Sequence, residues 1–249
     1  MLFRSDHTER MLASMGASLR REGHLLTIAP AERLEAGDVP VPGDFSSAAF
    51  FLAAALLVPG SEVELREVGI NRNRIGLLSI LWRMGVEMGG AHEAGRAVTI
   101  HDIREPGPEP IATLRVRNAP LSGAEVTAED VPAAIDELPL IALLACFAEG
   151  ETVVSGAAEL RAKESDRISG VVEGLSGLGA EIEGRPDGFA VRGTGGLRGG
   201  RIDARGDHRL AMVGAIAGLA STEGVEVEGF DAVAVSYPRF ERDLRGLIA

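Results

Sequence analysis

The chain has 249 residues, a net charge of −12 and 45% apolar residues, few of them aromatic. The acidic excess argues against binding to nucleic acid or to an anionic membrane surface, whereas a local basic cluster can still bind a small anion. No apolar run reaches the ~20 residues of a membrane span, and no signal-peptide pattern opens the chain. The lone Cys146 predicts a buried, reduced thiol, and we expect a cytoplasmic globular protein.

The first predicted elements lie between Thr8 and Ile28, where an amphipathic helix, a glycine and two short strands follow one another. This order matches the second half of a unit that recurs further along the chain. We therefore interpret residues 1–41 as the remnant of a first domain in a truncated or split product, with an N-terminal helical decoration as the alternative. Residues 40–43 (PVPG) are a predicted linker, and residues 42–249 are predicted to form a second domain of three repeated units.

Three segments share one pattern, in which an acidic residue precedes about three apolar helical turns, a glycine and an alternating strand. The acids are Asp44, Asp136 and Asp207. Equivalent helices of a repeat point the same way, and three helix N-termini aimed at one region form an intrinsic anion site. Helix capping alone also explains each acid, so both interpretations stay open.

A second pattern alternates with the first. An amphipathic helix, a glycine C-cap and a strand–turn–strand segment begin near Asn73 and again near Ser165. Further strands are predicted at 114–116 and 201–203, and a final helix after Pro238. The unit is then helix–strand–helix–strand–strand, and the predicted fold class is α/β.

The only lysine lies in the stretch RAKESDR at 161–167, and the other 24 basic residues are arginine. Lysine can lose its proton, whereas arginine effectively cannot, so Lys163 is a candidate for proton transfer. On a helix Lys163 and Arg167 would share one face, with Glu164 and Asp166 able to cap its N-terminus. A solvated, charged helix start explains the same residues.

His208 and Arg209 follow Asp207 at a predicted helix N-terminus, where cations oppose the helix dipole. That local conflict suggests a bound anion, although a lone histidine is more often structural. We predict no metal site, because the five histidines and Cys146 lack ligand spacing. The sequence also lacks a Walker-type phosphate loop.

Five motifs occur together and in order, namely GDFSSA at 43–48, IDELP at 135–139, RAKESDR at 161–167, GDHRLAM at 206–212 and SYPRF at 236–240. With SDHTERML at 5–12, they make the chain closely resemble the 5-enolpyruvylshikimate-3-phosphate synthase family over nearly its whole length. The resemblance implies the enolpyruvyl-transferase fold, a two-domain inside-out α/β barrel whose domains each contain three βαβαββ units. This chain would then be one near-complete domain plus a remnant of the other.

The resemblance also implies a reaction, the transfer of enolpyruvyl from phosphoenolpyruvate to the 5-hydroxyl of shikimate 3-phosphate in aromatic amino-acid biosynthesis. No metal or organic cofactor takes part in it. By motif, Asp136 is the base, Lys163 relays a proton beside it, and Glu164 exchanges a proton with the methylene carbon. Phosphoenolpyruvate would be bound by a basic set, Arg167, Arg209 and the neighbouring His208.

Several features depart from the family pattern. Arg4 and Ser5 reverse the family's order of serine and arginine. The resemblance makes both substrate-binding residues and places the serine at the phosphate of shikimate 3-phosphate. Val235 stands where many members carry a lysine that binds phosphoenolpyruvate, so either another cation substitutes or binding is weaker. The family's N-terminal substrate contacts have no counterpart here, so the missing N-terminal segment of the enzyme is an expected partner and the chain alone is expected to be inactive.

Two other functions compete with this interpretation. A sugar-nucleotide enolpyruvyl transferase of cell-wall synthesis would share the fold, but KESDR, IDELP and the lack of a loop cysteine disfavour it. A non-catalytic isolated domain is the alternative from a different class.

Overall fold

Helices and strands alternate along the chain in the computed structural model, which describes residues 5–248 apart from 91, 92 and 94. The helices are α1 His7–Ser14, α2 Phe45–Leu57, α3 Gly76–Arg83, α4 Val131–Ala134, α5 Leu138–Cys146, α6 Arg167–Gly177, α7 His208–Ala220 and α8 Phe240–Ile248. Two 3-10 helices lie at Ala158–Ala162 and Phe230–Val235. None of the helices in the described ranges combines the length and apolar character that a bilayer crossing requires.

The strands are β1 Leu19–Glu22, β2 Leu25–Ile28, β3 Glu62–Gly69, β4 Met88–Gly90, β5 Val98–Arg104, β6 Ile111–Arg117, β7 Glu125–Val126, β8 Glu151–Val154, β9 Glu181–Arg185, β10 Gly188–Arg192, β11 Gly200–Asp203 and β12 Val225–Glu228. In the described residues they form a β1–β2 hairpin, two four-stranded sheets of order β3-β6-β5-β4 and β7-β8-β10-β9, and a parallel β11–β12 pair. The α/β class predicted from the sequence is therefore confirmed.

The two copies of the second pattern differ in how their strands pair. Both copies of the second pattern were expected to end in a strand–turn–strand segment. The pair β9–β10 is such an antiparallel hairpin, whereas β4 and β5 pair in parallel, with Met88 opposite Val98. A tight turn joins antiparallel strands, and parallel pairing needs a longer connection. Seven residues separate β4 from β5, against two between β9 and β10.

Three apolar helices, α2, α5 and α7, pack against one another at the centre, and each also packs on strands of its own sheet. All nine residues of α5 are buried, Cys146 among them. A helix that is apolar all round belongs in a core. Burial raises the pKa of the Cys146 thiol to about 12, so the thiol is neutral and the predicted buried cysteine is confirmed.

The N-terminal ends of these three helices meet. Ser46, in the first turn of α2, donates a hydrogen bond of 2.5 Å to Glu137, which directly precedes α5. Arg209, in the first turn of α7, lies 3.8 Å from the same carboxylate. The expected convergence of the three N-termini is confirmed, and it positions the candidate site.

The segment ahead of α2 is attached differently from the rest. The helix α1 and the β1–β2 hairpin form as predicted, but no residue from 5 to 44 is buried. Polar contacts tie the segment to the core, with Asp6 accepting from Asn71 at 2.7 Å and His7 lying 2.7 Å from Glu109.

Candidate active site

The three acids at the helix starts have different roles. Asp44 caps α2 and Asp207 caps α7, each by accepting a hydrogen bond from a backbone N–H of the first turn. Asp136 does not cap a helix, because the N-cap position of α5 belongs to the next residue, Glu137. Capping therefore explains the acidic residue in two of the three segments, and Asp136 needs another explanation.

Asp136 is a buried carboxylate, 3% exposed, that faces three guanidinium groups. Its Oδ2 lies 3.2 Å from Nη2 of Arg209 and 3.4 Å from Nη2 of Arg74. Its Oδ1 lies 3.6 Å from Nη1 of Arg167. Buried charges are retained in proteins only when paired in this way, so the three guanidinium groups account for the burial of the Asp136 carboxylate.

Arg167 is the most deeply buried of the three arginines, with its side chain 1% exposed. Its Nε donates to Asp207 at 2.8 Å, and its Nη2 donates to Glu164 at 2.5 Å. Its Nη1 is buried and makes no hydrogen bond to any residue that the structure describes. An unsatisfied buried donor is costly, so this atom is available to an oxygen of a ligand.

His208 and Arg209 begin α7 beside Asp207, as the sequence predicts. Burial, together with the charge of Arg209, lowers the pKa of His208 below its ordinary value. The imidazole is therefore neutral near pH 7 and removes part of the expected conflict with the helix dipole. Arg209 supplies the positive charge, and its Nη1 also donates to the backbone oxygen of Asp136 at 3.2 Å.

Glu164 lies at the open side of the cluster, with its side chain 52% exposed. Of the two acids expected to cap α6, Asp166 does so by accepting from the N–H of Ser169, whereas Glu164 pairs with Arg167. Partial burial acts to raise the pKa of Glu164, but a backbone hydrogen bond and the charge of Arg167 outweigh it and lower the pKa. Glu164 is therefore ionised at rest.

Lys163 lies outside the helix on which it was expected. The prediction that Lys163 and Arg167 share one helical face is wrong, because Asp166 caps α6 and Lys163 precedes that cap in extended conformation. Its Nζ lies 3.2 Å from Glu159, and its side chain is only 15% exposed. The lysine thus directly precedes Glu164 in the chain, and its ammonium group faces Glu159.

Three further positions singled out in the sequence are Ser5, Arg4 and Val235. Ser5 is half-buried and directly precedes Asp6, whose carboxylate binds Asn71. Arg4 lies outside the described residues. Val235 is 83% exposed at the end of a 3-10 helix. Its neighbour Ser236 lines a cavity of about 170 Å³ that also borders His208 and Arg209.

Sequence reasoning missed Arg74 and Ser46. Nη2 of Arg74 donates to Ser46 at 2.9 Å, and Ser46 in turn donates to Glu137. Ser46 and Glu137 each stand close after an acid that was singled out, within the motifs GDFSSA and IDELP. Arg74 lies in a turn outside these motifs. Among residues 5–90, 93 and 95–248, no cluster of His, Cys, Asp or Glu could hold a metal ion.

Burial raises the pKa of Glu137, against the opposing effects of Ser46 and Arg209. The folded chain thus holds this proton more tightly than the unfolded chain, and stability falls as pH rises above the unfolded pKa of about 4.3. We expect Glu137→Gln to match the parent in unfolding free energy near pH 4 and to exceed it at pH 8, measured by urea denaturation. The exposed Glu149→Gln is the control, and an unchanged pH dependence in Glu137→Gln would contradict the buried-acid interpretation.

Comparison with solved structures first gives the class of protein. The enolpyruvyl transferase NikO from Streptomyces tendae matches 95% of this chain with a TM-score of 0.67 at 22% identity, which shows a shared fold. The EPSP synthase from Acinetobacter baumannii matches 96% of the chain with a TM-score of 0.87 at 38% identity. The expected enolpyruvyl-transferase fold is therefore confirmed.

The sequence comparisons give the family. The EPSP synthase (3-phosphoshikimate 1-carboxyvinyltransferase) profile matches residues 3–244. Curated 3-phosphoshikimate 1-carboxyvinyltransferases are 45% identical over 94% of the chain in Desulfitobacterium hafniense and 46% identical over 96% in Leuconostoc citreum. The chain belongs to the EPSP synthase family.

The chain spans about half the length of the relatives it matches. It covers 52% of the Desulfitobacterium protein, 54% of the Leuconostoc protein and 54% of the Acinetobacter structure. The similarity therefore concerns only about half of each relative.

Proposed function

We propose that this chain forms part of an enzyme that transfers enolpyruvyl from phosphoenolpyruvate to the 5-hydroxyl of shikimate 3-phosphate, with release of phosphate. One observation supports this beyond family membership. Asp136 is buried beneath three guanidinium groups, and Nη1 of Arg167 is a buried donor that no hydrogen bond satisfies among the described residues. A carboxylate next to an unsatisfied cationic donor suits deprotonation of a hydroxyl beside an anionic co-substrate.

The proposed reaction has two stages. In the addition, Asp136 takes the proton of the 5-hydroxyl, the oxygen attacks C2 of phosphoenolpyruvate, and C3 gains a proton. In the elimination, C3 loses a proton and the bond from C2 to the phosphate oxygen breaks. Arg167 and Arg209 hold the anionic groups of phosphoenolpyruvate, with neutral His208 as a hydrogen-bonding neighbour.

The resemblance gave both proton transfers at C3 to Glu164 and a relay beside Asp136 to Lys163, and we now assign one of the two transfers at C3 to each residue. The ionised resting state of Glu164 suits it to remove the proton from C3 in the elimination. The addition needs a protonated group that can give its proton to C3. We assign this role to Lys163, which is adjacent in the chain and only 15% exposed. Arginine at this position would hold its proton too tightly for that role.

Val235 stands where many family members carry a lysine that binds phosphoenolpyruvate, so this proposal needs another cation in its place. Arg239 lines a surface cavity together with Ser236 and Asp44, close to the N-terminus of α2. We assign Arg239 to the electrostatic role that lysine has in other family members, and Ser5 and Arg4 to the phosphate of shikimate 3-phosphate. No metal or organic cofactor is part of this mechanism.

In this proposal the substrates lie in a cleft between two domains, and this chain supplies only one side, or wall, of that cleft. We propose that residues 1–41 belong to one domain and residues 42–249 to another, built of three repeated units, and that the segment matching the rest of the relatives supplies the remaining substrate contacts. The absence of buried residues from 5 to 44 supports this division. Faster hydrogen exchange in 5–41 than in α2, α5 and α7 is the expected check. The proposal includes a cytoplasmic location.

Activity should require both walls. We define the assembled enzyme as this chain joined to the part of the Desulfitobacterium relative that the chain leaves uncovered. Phosphate release from phosphoenolpyruvate with shikimate 3-phosphate is expected in the assembled enzyme and absent in the chain alone. Asp136→Asn in the assembled enzyme is the inactive control.

Two results would contradict the proposal. Robust turnover by the chain alone would show that no second wall is needed. A folded assembled enzyme that binds neither substrate and releases no phosphate would favour the non-catalytic domain instead, and turnover with a sugar-nucleotide acceptor would favour the other enolpyruvyl transferase.

A further inference from the structure

We propose that Arg74 is a positioning residue, which holds the carboxylate of Asp136 in the orientation needed for catalysis. This inference rests on the proposed function of Asp136 as the base. Arg74 lies in the turn before α3, outside every motif that carried the family resemblance. Its side chain is 15% exposed and faces Asp136, which is 3% exposed.

The guanidinium of Arg74 is held by two partners, Ser46 and Asp136. Nη2 donates to Ser46 at 2.9 Å, and Nη1 and Nη2 lie 3.5 and 3.4 Å from Oδ2 of Asp136. Ser46 is itself buried and donates to Glu137, the residue after Asp136. Arg74 thus connects α2 to the start of α5 at the level of the carboxylate.

The turn that carries Arg74 is also held in place. The N–H of Arg74 donates to the backbone oxygen of Asn71 at 2.8 Å, and the buried Asn71 side chain binds both Asp6 and Glu109. Just after the turn, a side chain on Gly76 would lie 2.8 Å from the backbone of Ala133. The absence of a side chain there lets the start of α3 abut the segment that leads into Asp136.

The three arginines around Asp136 are not equivalent. Arg167 is engaged by Asp207 and Glu164, and the proposed function gives it and Arg209 to phosphoenolpyruvate. When those two turn toward a bound anion, Arg74 remains committed to Oδ2 through its anchor on Ser46. Nη1 and Nη2 of Arg74 both face Oδ2, so a rotation of the carboxylate that moves Oδ2 would break two contacts, whereas a single donor would lose only one.

The test compares Arg74→Gln and Arg74→Lys in the assembled enzyme, with Arg83→Gln as control. Arg83 is on α3 and pairs with Asp130 at 2.8 Å, away from Asp136. We expect Arg74→Gln to lower kcat by about 100-fold with KM for phosphoenolpyruvate within about threefold, because an interaction needed in the transition state is lost. Arg74→Lys should regain about tenfold, and Arg83→Gln should stay within about threefold.

A crystal structure of this chain carrying Arg74→Gln supplies the second measurement. We expect Oδ2 of Asp136 to have moved from the position that it has beside the Arg74 guanidinium in the parent. An unmoved carboxylate, or a kcat within about threefold of the parent, would overturn the inference. If Arg74→Gln does not fold, Arg74→Lys undergoes both measurements, and parental kcat with Asp136 in place would overturn it. An inactive parent enzyme would refute the proposed function, and the crystal structure would still decide the role of Arg74.

Discussion

Replacing Lys163 by arginine in the assembled enzyme is expected to lower kcat by about 1,000-fold without loss of the fold. Positioned general acids contribute about 10²- to 10⁴-fold to rate, and arginine keeps its proton at neutral pH. Arginine can still pair with Glu159, which lies 3.2 Å from Nζ of Lys163. The melting temperature should therefore change by no more than about 3 °C, the effect of roughly 1 kcal/mol in a domain of this size.

The control for this prediction exchanges the same two side chains elsewhere. Arg192→Lys, at the exposed end of β10, should leave kcat within about threefold of the parent. Phosphate release and thermal melting are measured on all three proteins. Near-parental turnover by Lys163→Arg would mean that the only lysine of the chain is an accident of its arginine-rich composition.

Arg167→Met is expected to cost about 3–5 kcal/mol in the free energy of unfolding, measured by urea denaturation of the chain itself. The substitution leaves Asp207, which is fully buried, without its strongest partner. Removing one member of a buried ion pair strands the other charge in a medium of low polarity. Replacing the exposed Arg245 by methionine, which breaks the helical pair with Glu241, should cost about 0.5 kcal/mol or less.

The same substitution should change the response to acid. Burial acts to raise the pKa of Asp207, but the hydrogen bond and charge of Arg167 outweigh it and hold the pKa below its ordinary value. The stability from this group is present above the unfolded pKa of about 4 and is lost as pH falls through the folded value. Arg167→Met should therefore be less sensitive to acid than the parent, and a loss below about 1 kcal/mol at pH 7 would contradict this account.

The helices α2, α5 and α7 could be predicted because their signal is local. Each is an apolar run that begins at an acid and ends at a glycine, and their convergence was expected from the shared sequence pattern. The sequence could not separate Asp136 from Asp44 and Asp207. A one-residue difference in helix start, with Glu137 at the N-cap position, frees Asp136 to face the arginines.

The loop around Lys163 shows a different limit. Spacing alone placed Lys163 and Arg167 on one helix face, but spacing applies only if the helix includes both residues. Asp166 begins α6 by capping it, so the two cations leave the backbone from different elements. Arg74 was missed for a related reason, because its partners lie 28 and 62 residues away and only the folded chain brings them together.

The reactivity of the single thiol of the chain shows whether the packing of its three central helices is intact. Cys146 ends α5, the helix that is buried along its whole length, and its pKa of about 12 keeps it unreactive while the three central helices stay packed. A thiol reagent can modify it only in molecules whose core has opened. The rate of that modification therefore measures how often the core opens, and no other cysteine in the sequence competes for the reagent.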